Sequence, residues 1–136
     1  MAEKKSVKSL SEESENKTSH FDDYKIDKSE KDIIMNVFPG DTGQACLSEA
    51  YLEGNKIITD HEGAIDAYIV GTNKNLRGKH LEVYTLVTDM PGEPDLTSFR
   101  FQLSGGILPY EYYTEKTVQS QGDSVVYKIT IFFTIH

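Results

Sequence analysis

From residue 55 onward the chain alternates apolar and polar side chains with a period of two. In Ala64 to Val70, Ile65, Ala67 and Ile69 alternate with Asp66 and Tyr68. From His80 to Thr88, Leu81, Val83, Thr85 and Val87 form one set, and Glu82, Tyr84, Leu86 and Thr88 the other. Phe99, Phe101 and Leu103 alternate with Ser98, Arg100 and Gln102. The last run is the longest: Val125, Tyr127, Ile129, Ile131, Phe133 and Ile135 against Ser124, Val126, Lys128, Thr130, Phe132 and Thr134. Successive side chains of a strand point to opposite faces, so each run predicts a strand that buries one face and wets the other.

An earlier run, Asp32 to Phe38, is strand-like and stops at Pro39-Gly40-Asp41. Ala45 to Glu53 holds good helix formers but is short and ends at Gly54-Asn55. It reads as a strand entering a hairpin with Lys56 to Asp60. Turn signals separate the runs at Gly71 to Asn75, Pro91 to Asp95, Gly105-Gly106 and Gln121 to Asp123. Seven or eight short strands with no sustained helical period predict an all-β fold, an antiparallel β-sandwich of immunoglobulin-like size. The Cys–Trp–Cys core of antibody domains is absent, because the chain has one Cys and no Trp. The motifs point to no family.

The first nineteen residues lack this rhythm. Past Met1, Val7 and Leu10 stand alone among Lys, Glu, Ser and Asn. Such a stretch buries too little surface to offset its ordering entropy. The expected division is a charged, disordered tail over residues 1–31 and a β-sandwich over residues 32–136. Phe21, Tyr24 and Ile26 are the residues expected to anchor the tail to the domain edge.

Charge narrows the function. The 136 residues carry 14 basic and 22 acidic side chains, a net of −8, and residues 32–136 hold −7 of it. Phosphate contacts need clustered Lys and Arg, so a nucleic-acid partner is not expected. The longest uncharged apolar stretch, Ile129 to Ile135, is far below the ~20 residues that span a bilayer. After Lys4, Lys5 and Lys8 comes a polar segment where a signal peptide has its apolar core. A cytoplasmic location is therefore expected, with export by a non-Sec route left open. The single cysteine fits a reducing compartment.

The chemistry-bearing residues form no catalytic motif. Cys46 has no basic neighbour in sequence to lower its pKa and reads as a small buried hydrophobe. His20, His61, His80 and His136 have no zinc-ligand spacing. Asp60, Glu62 and Asp66, with Asp89, Glu93 and Asp95, are calcium candidates if two acidic loops meet at one end of the sandwich. They do not fit an EF-hand, since position 5 counted from Asp60 is Ala64. The alternative is plain solvated turns.

Tyr110, Tyr112 and Tyr113 make the most suggestive surface feature, because Tyr gives large contact area at small entropic cost. Tyr110 and Tyr112 fall on one strand face, Glu111 and Tyr113 on the other. Val126 and Phe132 interrupt the polar face of the last strand. They imply a cover: the N-terminal segment, a second sheet edge or a partner. The leading expectation is a non-enzymatic β-sandwich that binds a protein or self-associates as a component of a larger assembly. Its final strand is taken as an edge open to strand addition. The alternative is a carbohydrate- or calcium-binding module. No cofactor is expected.

Overall fold

The computed structural model describes residues 7–8, 17–40, 44–88, 96–118 and 124–135. Nine strands and one short helix are present among them: β1 (Lys17–Ile26), β2 (Asp32–Pro39), β3 (Ala45–Leu52), β4 (Asn55–Glu62), β5 (Ile65–Thr72), α1 (Asn73–Leu76), β6 (His80–Thr88), β7 (Leu96–Ser104), β8 (Tyr110–Thr117) and β9 (Ser124–Ile135). They form a five-stranded sheet, β1-β9-β6-β3-β4, and a four-stranded sheet, β5-β2-β7-β8. The sandwich expected from the alternating runs is the observed architecture.

The core lies between the sheets. Leu81, Val83 and Val87 of β6 and Val125, Tyr127, Ile129, Ile131 and Phe133 of β9 face Ile33, Met35 and Val37 of β2 and Phe99, Phe101 and Leu103 of β7. Buried hydroxyls in this layer are satisfied. The Tyr127 ring stacks on Phe99 at 5.3 Å, and its hydroxyl meets Thr97 Oγ1 at 2.5 Å. Thr97 in turn donates to the Lys116 carbonyl at 2.7 Å. The Ser48 and Thr85 hydroxyls pair at 2.8 Å.

Four sequence expectations change. First, residues 17–26, assigned to the tail, form β1, the ninth strand; residues 1–6 and 9–16 lie outside the described residues. The inward-facing set of β1 is Thr18, His20, Asp22, Tyr24 and Ile26. Only the last two are apolar and buried, so the period-two signal is weak. Second, β1 pairs with β9 in parallel, from Lys17 opposite Val126 to Ile26 opposite Ile135, while every other pairing is antiparallel. Third, β9 is therefore not an edge: β1 covers one side and β6 the other. Fourth, the alternation in β5 does not run through. Val37 pairs with Ile65 but Met35 with Tyr68, so β5 carries an extra residue there. Ala67 sits at φ 53°. A bulge moves later side chains to the opposite face. Ile65 stays in the core, and Ile69 emerges on the outside beside Ile34.

Turns follow local chemistry. Glu53 and Gly54, both at positive φ, make the two-residue β3–β4 hairpin turn. Thr72 caps α1 by accepting from the Asn75 N–H at 3.2 Å. Buried Asn73 ties the β1–β2 connection down: its Oδ1 accepts from the Asp27 N–H, and its Nδ2 donates to the Lys31 and Gly105 carbonyls. At Gly105, φ is 99°, and a side chain would place Cβ 2.0 Å from the Asp32 carbonyl oxygen. Only glycine fits there.

Candidate binding surface

Register between strands far apart in sequence assembles the outer face of the four-stranded sheet. Phe38 of β2 lies beside Arg100 of β7, which lies beside Tyr113 of β8. The next row is Asn36, Gln102 and Glu111. The third is Ile69 of β5, Ile34 and Ser104. Three large apolar or aromatic side chains are exposed here: Phe38 at 39%, Tyr113 at 47% and Ile69 at 55%.

The polar groups among them are held by one another. The Arg100 guanidinium sits 5.1 Å from the Tyr113 ring centroid, and its Nε lies 3.3 Å from Glu111 Oε1. Asn36 accepts from the Ala67 N–H at 2.6 Å and donates to Gln102 Oε1 at 3.4 Å. A cation over an aromatic ring with a carboxylate beside it restrains these half-exposed side chains in part. Two shallow depressions mark the face. One of about 250 Å³ is lined by Phe38, Gly40, Ser98, Arg100 and Tyr113. Another of about 390 Å³ lies between Asn36, Gln102, Pro109 and Glu111.

The expected partner-contact residues do not form one surface. Tyr110 and Tyr112 point inward and close the seam between β8 and β1. Tyr112 stacks on His20 with centroids 4.0 Å apart and planes 7° from parallel. The Tyr110 hydroxyl donates to Asp22 Oδ2 at 2.9 Å, and its ring meets Tyr24 and Phe101 edge-on. Burial and the adjacent Asp22 charge push the Tyr110 phenol well above its ordinary range. Burial also raises the Asp22 carboxyl, but the Asp23 N–H, the Tyr110 hydroxyl and His20 outweigh it and leave the group below its usual value. Only Tyr113 of the three is exposed. Phe132 is exposed on the opposite sheet, where the His80 ring lies 6.0 Å away. Val126 is buried on that same sheet's outer face, in a cluster with Tyr84 and Val7. Of the three covers expected for this strand face, the N-terminal segment covers Val126.

Asp60 and Glu62 on β4 and Asp66 on β5 are all exposed. Among the described residues no group of three His, Cys, Asp or Glu side chains is placed to hold a metal ion. Asp89, Glu93 and Asp95 lie outside the described residues, as does His136. The Cys46 thiol donates to the Pro39 carbonyl at 3.3 Å, and burial pushes its pKa up to about 11. At neutral pH the thiolate that a nucleophile needs is suppressed.

Phe38, Arg100, Asn36 and Ile69 escaped the sequence reading. Arg100 had a signal, as the one cation between Phe99 and Phe101. Ile69 had none, because the bulge reverses its face. No protein family, no curated protein and no solved structure matches the chain.

Proposed function

We propose that this domain is a non-catalytic binding module that docks a protein partner on the outer face of its four-stranded sheet. The observation that carries the reading is the Phe38–Arg100–Tyr113 row, two exposed aromatic rings bracketing an arginine, with Ile69 exposed two rows away. Aromatic residues and Arg are the types enriched at protein interfaces and among their energetic hot spots. Contacts within the face restrain its side chains in part, which lowers the entropic cost of association. One depression, at about 250 Å³, is below the ~300–1,000 Å³ of clefts that enclose small ligands, the other, at about 390 Å³, is at the low end of that range, and both are open to solvent where a ligand site is enclosed, which favours a broad protein contact over a sugar or metabolite.

The test compares native-source extracts passed over the wild-type protein, a Phe38→Ser/Tyr113→Ser variant and a Phe132→Ser control on the opposite sheet. A partner retained by wild type and control, and lost with the double variant, supports the proposal. So does a homodimer by light scattering that only the double variant dissolves. A partner retained equally by all three proteins, or a glycan that quenches wild-type tyrosine fluorescence but not the double variant's, overturns it.

A further inference from the structure

The outer face of the five-stranded sheet carries a second apolar area, and residues 7–8 sit on it. Strand register places Leu47, Leu86 and Val126 in one row and Glu49, Tyr84 and Lys128 in the next. Val7 is fully buried against Tyr84 and Val126, with Leu47, Tyr51 and Leu86 around it. The Lys8 main-chain N–H donates to Glu49 Oε1 at 3.1 Å. The Lys8 ammonium lies 5.0 Å from the Tyr51 ring centroid.

Glu49 is the informative residue. It is completely buried, yet it lies on the outer face of a sheet. Its other oxygen is paired with the Lys56 ammonium. A carboxylate at a dry position is costly unless it is paired and hydrogen-bonded, and here a donor from the N-terminal segment completes its shell. The same face presents an apolar hollow for one aliphatic side chain and, in Tyr51, an aromatic ring that takes the Lys8 ammonium beside that of Lys56 at 5.8 Å. Together these groups read a short motif: an aliphatic residue, then an N–H donor, then a positive charge. Val7 and Lys8 carry that chemistry.

We propose that the outer face of the five-stranded sheet is a peptide-binding site for a basic–apolar segment of a partner protein, and that the chain's own Val7 and Lys8 occupy it in cis as an internal competitor. This site lies on the opposite sheet from the Phe38–Arg100–Tyr113 row and does not rest on it. A segment tethered to its own site competes at an effective concentration of about millimolar. The site is therefore masked until a partner segment of the same chemistry displaces residues 7–8.

The probe is a fluorescein-labelled synthetic peptide of residues 1–16, followed by polarisation against full-length proteins. Val7→Asp removes the internal competitor and leaves the core between the sheets untouched. The peptide is expected to bind Val7→Asp at least about tenfold more tightly than wild type. Glu49→Gln, added to Val7→Asp, is expected to weaken that binding by about tenfold, because a neutral amide is a poorer acceptor than a carboxylate. Circular dichroism melts confirm the fold, and Val7→Ser replaces Val7→Asp if the aspartate variant melts early. No binding to the unmasked protein, equal binding to wild type and variant, or indifference to Glu49→Gln overturns the proposal. A wild-type dimer that Val7→Asp dissolves would make the occupant a second copy and overturn it equally.

Discussion

Tyr24→Ala tests whether residues 17–26 belong to the domain. Tyr24 is 3% exposed, and its ring makes edge contacts with Tyr110 and Phe133 at 6.2 and 6.4 Å. Its hydroxyl accepts from the Gly106 N–H at 2.9 Å. Truncating a buried aromatic to Ala typically costs about 3–5 kcal/mol. Orphaning the Gly106 N–H adds up to about 1–3 kcal/mol, less where water enters the gap. Near 3 °C per kcal/mol for a chain of this length, the melting temperature should fall by about 10–25 °C. Tyr24→Phe removes only the hydroxyl and should cost about 1–2 kcal/mol. Phe21→Ser, on the exposed side of the same strand, should stay within about 0.5 kcal/mol of wild type. Urea unfolding followed by far-ultraviolet circular dichroism reads all three, with an unchanged m-value confirming that only stability moved. A Tyr24→Ala midpoint indistinguishable from wild type would refute the argument, since a substitution in an undocked tail costs nothing.

Two further predictions follow from the same seam and its neighbouring turn. Gly105→Ala should destabilise by more than about 2 kcal/mol, because its Cβ meets the Asp32 carbonyl oxygen at 2.0 Å and its φ is 99°; an unchanged urea midpoint would contradict this. Asp22, held below the ordinary aspartate range, contributes stability that is present above that range and disappears as pH falls through the lower folded-state pKa. Since Asp22 is nearly half exposed, the gap between wild type and Asp22→Asn should be at most about 1 kcal/mol at pH 6. It should close once the pH is below both values; a gap that persists or widens in acid would exclude this linkage.

The sheets were legible where the period of two ran uninterrupted. In β6, β7 and β9 the inward residues read from the sequence are buried, Ile135 apart, because no bulge breaks those strands. β5 misled for a local reason: the extra residue at the Ala67 bulge sends Ile69 outward, and nothing in Ile65-Asp66-Ala67-Tyr68-Ile69 announces it. β1 was hidden because its inward residues His20 and Asp22 meet tyrosines instead of aliphatic side chains. The polar lining that makes it look like a tail is what closes the seam. The exposed row was less legible still. Phe38, Arg100 and Tyr113 become neighbours only through the β2–β7 and β7–β8 registers, and one-dimensional patterning does not encode register. The Val126 anomaly was readable as a covered patch, and the residue that covers it, Val7, was one of the two apolar side chains noted in the tail.

The binding face itself is tested most directly by photo-crosslinking. A photoreactive phenylalanine placed at position 113, or at position 132 on the opposite sheet, is irradiated in native-source extract. The account predicts a discrete protein adduct from position 113 that is abolished by Phe38→Ser, and no matching adduct from position 132. The same adduct from both positions, or one from position 113 that survives Phe38→Ser, would contradict it.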